Sequence, residues 1–169
     1  MDIANQLSEQ LRRLAGTAPP GAPSINLTGP DGLTIAIDLT AVDSLSCAFR
    51  ELRLHVPKLI GVEFEALKQW ADALSKRVTY LLEHIGPLEF SPDDGTVLMR
   101  SAPPDRGEQE TTYYEILLQS HPGGNFTLRR YRSERGRPGR QPVDIELTYT
   151  ALKRLIDDLI TTIPGGEAR

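Results

Sequence analysis

A chain of 169 residues, 39% hydrophobic and 25% charged, is long enough to bury a real core as one medium domain or two packed repeats, and disorder is not its default. No apolar run approaches the roughly 18 residues that span a bilayer, and residues 1–16 lack the basic and apolar regions of a secretory leader, so the chain reads as cytoplasmic, with no membrane partner. One cysteine, Cys47, excludes an intrachain disulfide and a cysteine zinc cluster, and a net charge of -4 counts mildly against nucleic acid as a partner.

Ile3, Leu7, Leu11 and Leu14 recur at helical spacing behind Asp2, a good N-cap, so residues 1–16 are expected to form an amphipathic helix that docks within or between subunits. The proline- and glycine-rich residues 17–23 read as a linker. Strands at Ser24–Thr28 and 33–39 flank the turn signal Gly29-Pro30-Asp31-Gly32. Residues 44–56 also alternate, but the phase slips between Phe49 and Leu52, which predicts a bulge or break near Arg50. A short strand at 58–62 leads into a helix from Glu63. Its apolar face, from Leu67 and Trp70 through Leu81 and Leu82 to Ile85, carries it to Gly86-Pro87.

The second half repeats this order. Strands are expected at 96–100, 111–120, 125–133 and 143–147, after a short segment at 88–90. A final helix follows, capped by Thr148 or Thr150, with Leu152, Leu155, Ile156, Leu159, Ile160 and Ile163 on one face and Pro164-Gly165-Gly166 at its end. Pro122 cannot open a tight two-residue hairpin turn, which favours a three-residue loop with Gly124 left-handed and His121 facing Asn125. In that register Leu118 opposes Leu128, and one outer face carries Tyr113, Glu115, Leu117, Thr127, Arg129 and Tyr131.

The two halves echo each other without a gap. Laying residues 57–74 over 142–159 gives seven identities: Pro57/Pro142, Ile60/Ile145, Ala66/Ala151, Leu67/Leu152, Lys68/Lys153, Asp72/Asp157 and Leu74/Leu159. The predicted fold is therefore α+β: two strand-strand-strand-strand-helix repeats, 24–86 and 87–164, forming one compact unit. An antiparallel sheet with both helices on one face buries the apolar sides and leaves the other face free.

Charge is the one uneven property. Residues 124–140 hold six arginines against Glu134 alone, while the chain on either side is acidic. Guanidinium groups pair with phosphates and stack on bases, and tyrosine faces accept any base, so this hairpin is shaped for single-stranded nucleic acid. The competing reading pairs Arg130 and Arg132 with Glu115 and other acids on a solvated face. Catalytic signals are poor: His55, His84 and His121 have no metal-ligand spacing, Asp93-Asp94-Gly95 is a hairpin turn, and no glycine-rich phosphate loop is present. Neither an enzyme nor a cofactor is expected.

Leu128-Arg129-Arg130-Tyr131, Gly136, Pro138-Gly139-Arg140, Ile145-Glu146-Leu147 and the helix with Leu152 and Leu155 together resemble the C-terminal half of the positive cofactor four family of transcriptional coactivators. Duplicated four-strand-and-helix units are similar to the related Whirly proteins. The resemblance implies binding of single-stranded DNA or RNA on an antiparallel sheet and assembly into a homo-oligomer, with Arg129, Tyr131 and Arg140 at the matching positions. Two departures stand out: no glycine precedes the short strand, and Gln141-Pro142-Val143-Asp144 makes the turn about two residues longer. With the residues read directly, the expected nucleic-acid face is Tyr113, Arg129, Arg130, Tyr131, Arg132, Arg137 and Arg140. The alternative function is a dimeric protein-interaction or chaperone-like adaptor whose sheet and N-terminal helix grip an acidic or amphipathic segment.

Overall fold

The computed structural model describes residues 2–15, 23–59, 61–79, 84–102, 109–120 and 124–165. The chain runs α1 (Ile3–Leu14), β1 (Ser24–Thr28), β2 (Thr34–Val42), β3 (Ser46–His55), α2 (Phe64–Arg77), β4 (His84–Ser91), β5 (Thr96–Ala102), β6 (Glu110–Gln119), β7 (Asn125–Glu134), β8 (Gln141–Val143), β9 (Ile145–Thr148) and α3 (Tyr149–Thr161). All strands join one antiparallel sheet, ordered β1-β2-β3-β7-β6-β5-β4, with β8 paired to β7 and β9 to β3. The fold is α+β with an N-terminal helix. No helix among the described residues is long and apolar enough to cross a membrane.

Period-two alternation builds the core. Ile25 faces Ile37, Ile37 faces Leu52, Leu52 faces Leu128, Leu128 faces Ile116 and Ile116 faces Met99, so one apolar row crosses most of the sheet. A second row runs Leu27, Ile35, Leu54, Phe126, Leu118 and Val97. Leu67, Trp70, Ala71 and Leu74 of α2 and Leu152, Leu155, Ile156 and Leu159 of α3 join these rows in one buried cluster. Trp70 packs 6.0 Å from Phe126 and donates its indole N–H to Thr162 at 3.3 Å, which satisfies the polar atom that its burial would otherwise strand. Each such fully buried side chain contributes about 1.5–3 kcal/mol, so this face dominates the stability.

The N-terminal helix docks within the chain. Asp2 caps it through the Asn5 N–H at 2.7 Å, and Leu7 and Leu11 enter the core. Its polar side also binds backbone: Gln6 accepts from the Thr28 N–H at 3.0 Å and donates to the Thr28 carbonyl at 2.8 Å, while Gln10 donates to the Asn26 carbonyl at 2.8 Å. These amides occupy backbone groups on the outer edge of β1, which would otherwise be a template for another strand.

The expected bulge is present at Arg50. Asp38 faces Glu51 but Leu39 faces Phe49, so Arg50 is the extra residue, and Thr40 is extra on β2 one step later. There β3 changes partner: residues 52–55 pair with β7, whereas 46–49 pair with β9. The segment 141–148 forms a V in the fork between β3 and β7, with Asp144 at its apex. Asp144 accepts from Arg50 Nε at 2.6 Å and from Thr40 Oγ1 at 2.9 Å, so the two bulged residues pin the V in place.

Four expectations are corrected. The described residues of 58–62 form no strand: Pro57–Leu59 is a single 3-10 turn, because both edges of β3 are already taken by β2 and by β7 with β9. The helix after it stops at Arg77, and Ile85 is buried from strand β4 instead; an apolar side chain satisfies either periodicity. The β6–β7 register is shifted by two residues. Leu118 faces Phe126 and Gln119 faces Asn125, because the Ser120 N–H is taken by the Gly95 carbonyl at 2.9 Å. Finally, among the described residues three strands precede α2 and six separate it from α3, so the architecture is not two equal four-strand units. The sequence echo holds within the helices: Phe64 and Tyr149, aligned in it, both begin a helix, and Leu67, Leu152, Leu74 and Leu159 are all fully buried. The linker at 17–22, Ile60, Leu81, Leu82, residues 121–123 and Gly166 lie outside the described residues.

Gly124 is left-handed, as expected, with φ of 56°. A Cβ there would collide with the Val56 carbonyl and with Leu59, so the end of β3 requires glycine at this point for space as well as for backbone angle.

Candidate functional site

A two-residue register shift preserves the faces of a strand, so the outer face carries the residues expected of it. Tyr113 faces Tyr131, Glu115 faces Arg129 and Leu117 faces Thr127. Beyond β6, Glu115 faces Arg100 on β5, and on the far side Asp38 faces Glu51. With Glu51 next to Arg129 across β3 and β7, a row of alternating charge crosses the sheet: Asp38, Glu51, Arg129, Glu115, Arg100.

Each guanidinium in that row has a carboxylate. Arg129 donates from Nε to Glu51 at 2.5 Å and from Nη1 to the Tyr131 hydroxyl at 3.3 Å. Arg53 bridges Asp38 and Glu51, both at 2.9 Å. Glu115 is shared: Arg100 reaches it at 3.4 Å, and Arg140 holds both its oxygens, one from Nη2 at 3.1 Å. Arg140 comes from the long turn after β7, and its Nη1 also donates to the Tyr113 hydroxyl at 3.3 Å. The hydrogen bond to Tyr131 raises the pKa of Arg129, and those to Glu115 and Tyr113 raise that of Arg140, so both stay cationic at any working pH.

The tyrosines are covered. Their ring centroids lie 6.0 Å apart, Arg140 sits 3.7 Å above the Tyr131 ring, and Arg100 sits 4.5 Å from that of Tyr113. Each tyrosine is 8% exposed. Arginine and tyrosine thus form a stack that fastens the 135–140 turn to the sheet.

The remaining expected residues point elsewhere. Arg130 and Arg132 face Tyr114 and Thr112, on the face opposite Arg129 and Tyr131. Arg130 lies 5.0 Å from the Tyr114 ring and donates to Thr112 Oγ1 at 3.2 Å, while Arg132 donates to Gln141 at 3.2 Å. Neither pairs with Glu115; that role belongs to Arg100 and Arg140. Arg132 and Arg137 both approach Glu134, at 3.7 and 3.4 Å, and Arg137 is 72% exposed. Of the residues expected at the site, the structure brings Tyr113, Arg129, Tyr131 and Arg140 together and puts Arg130, Arg132 and Arg137 elsewhere. Asp38, Glu51, Arg53 and Arg100, which the sequence reading did not single out, join the first group. Alternation within β2, β3 and β5 put these on the outer face, but only strand order could bring them to β7.

Other reactive side chains have structural partners. His55 Nδ1 lies 3.0 Å from Asn125 Oδ1. Cys47 is buried, and desolvation with help from Asp43 raises its pKa to about 11, so it stays a thiol. Among the described residues no three His, Cys, Asp or Glu side chains gather as a metal site. Compared with known family models, curated proteins and solved structures, the chain has no match in any of the three.

Proposed function

We propose that this chain is a non-enzymatic binding domain whose partner is a segment of protein, and that the arginines of β7 serve mainly to hold the fold together. The observation that carries this is the state of the outer-face ion pairs. Glu51 and Glu115 have side chains only 12% and 11% exposed, whereas Arg129 and Arg140 are 48% and 38% exposed. Drawing Arg129 and Arg140 onto phosphates would leave nearly buried Glu51 with Arg53 alone and Glu115 with Arg100 alone. Breaking a fully buried pair costs about 3–5 kcal/mol, reduced here because the arginine side is open and each carboxylate keeps a second arginine, against about 0–1 kcal/mol for a new surface ion pair. Base stacking would contribute about 1–3 kcal/mol per base, but only on an open tyrosine face. Both rings are already stacked.

Single-stranded nucleic acid is the second reading, favoured by the exposed Arg135 and Arg137 at the tip of the turn. Capture of partners from lysate with and without nuclease separates the two. A specific protein retained after nuclease treatment supports the first. A salt-dependent shift of a labelled single strand, lost on Arg135→Glu with Arg137→Glu, would overturn it in favour of the second.

A further inference from the structure

The helix side of the molecule carries a groove of about 500 Å3 between α1 and α3, ending at the β2–β3 turn. Leu7 and Leu11 form its floor, Tyr149 stands in its wall, and Arg12 and Lys153 lie on its rims. Both cations are exposed. Their neighbours on the same helices are occupied: Arg13 pairs with Glu9, and Arg154 has an interaction of its own. Among the described residues no carboxylate pairs with Arg12 or Lys153.

The β2–β3 turn presents a third feature. Leu45, next to the lining residue Ser44, is 74% exposed, more than any other large apolar side chain among the described residues. It is not on a slack loop. Asp43 Oδ1 accepts from the N–H groups of Leu45 at 2.8 Å and Ser46 at 2.7 Å; the Tyr149 N–H donates to the Leu45 carbonyl at 2.9 Å, and the Tyr149 hydroxyl donates to the Asp43 carbonyl. A large apolar side chain held in water by this many bonds is pre-organised for contact, since little conformational freedom remains to be lost on binding. The Asp43 carboxylate is directed at its own turn, where it accepts from Leu45 and Ser46.

We infer that this groove receives the apolar face of an acidic amphipathic helix, with apolar side chains on Leu45 and Tyr149 above the floor of Leu7 and Leu11 and carboxylates facing Arg12 and Lys153. The inference rests on the protein-segment reading and gives it a site. A strand is the poorer occupant because the nearest sheet edge, β1, is already occupied by Gln6 and Gln10.

The test uses a fluorescent peptide of roughly five helical turns built from Leu, Ala and Glu, a twin with Lys for Glu, and a scrambled form of the acidic peptide. Anisotropy titrations with the full chain are expected to rank the acidic helix above both controls. Arg12→Glu with Lys153→Glu should weaken the acidic peptide by about tenfold or more and favour the lysine twin, and Leu45→Asp should weaken it by about tenfold. Unchanged melting temperatures verify that these surface variants fold. Equal binding of both twins, or no loss in the variants, overturns the proposal, and so does a dimer that Leu45→Asp dissolves, since the groove would then belong to a second copy. If a nuclease-resistant protein partner still binds the groove variants, the groove assignment falls alone; if no such partner exists, the protein-segment reading falls with it.

Discussion

The outer face of β7 and the groove between α1 and α3 both display cations, but in opposite states. On the outer face, Arg129 of β7 and Arg140 of the turn after it are fixed by Glu51 and Glu115 and lie on or beside tyrosines. In the groove, Arg12 and Lys153 stand beside an apolar floor and, among the described residues, have no carboxylate of their own. The larger concentration of charge is therefore the less available one. Charge that a fold has already paired contributes to stability, and charge left open contributes to recognition.

Reversing a cation should separate the two regions most sharply. Arg129→Glu removes a half-exposed ion pair and places a second carboxylate against the nearly buried Glu51. A loss of about 3 kcal/mol is expected, read as a drop of several degrees in melting temperature. The same change therefore cannot serve as a folding-neutral test of oligonucleotide binding. Glu115→Gln attacks the pairing from the other side, leaving Arg100 and Arg140 without their shared anion while preserving shape. Both arginines can regain water, so the expected cost is smaller, about 2 kcal/mol in chemical denaturation. It should be accompanied by faster proteolysis within 135–140, since Arg140 is what fastens that turn to the tyrosines.

Much of this contrast was open to sequence reading, and the part that was not has a common cause. Local patterns placed the N-terminal helix with its Asp2 cap, the Arg50 bulge, the left-handed Gly124 and the outward set Tyr113, Glu115, Arg129 and Tyr131. Each depends on residues a few positions apart. Arg129 meeting Glu51 depends on β3 lying next to β7, and the V at Asp144 depends on a fork that no single strand announces. The same limit explains why 58–62 looked like a strand. Its counterpart, 145–148, found an open length of β3 to pair with, and 58–62 had none. The groove was half visible: the α1 stripe was read, but that α3 and a rigid turn would frame it required the packed structure.

The turn that holds Leu45 gives a pH-dependent test. Hydrogen bonds from the Leu45 and Ser46 N–H groups lower the pKa of Asp43 below its ordinary value of 3.8. The folded pKa is the depressed one, so the stabilisation is fully present above about pH 4–5 and is lost as pH falls through the folded value. Asp43→Asn should therefore lower stability near neutral pH and converge on the wild type in acid. The carboxylate is fully exposed, so the difference will be modest. Peptide binding in the groove should weaken in Asp43→Asn, because Leu45 loses part of its support.

The smallest stability effect belongs to Arg12→Glu with Lys153→Glu, and it tests the comparison most directly. Neither side chain is buried, and among the described residues neither has an ion-pair partner, so the double reversal should change folding stability by no more than about 0.5 kcal/mol. It changes net charge by as much as two reversals on β7 would, which removes global charge as an explanation for any difference. If this variant melts with the wild type while Arg129→Glu melts several degrees lower, the two sets of cations do different work. If it also unfolds early, Arg12 and Lys153 hold the helices together, and the groove loses its claim to be open for a partner.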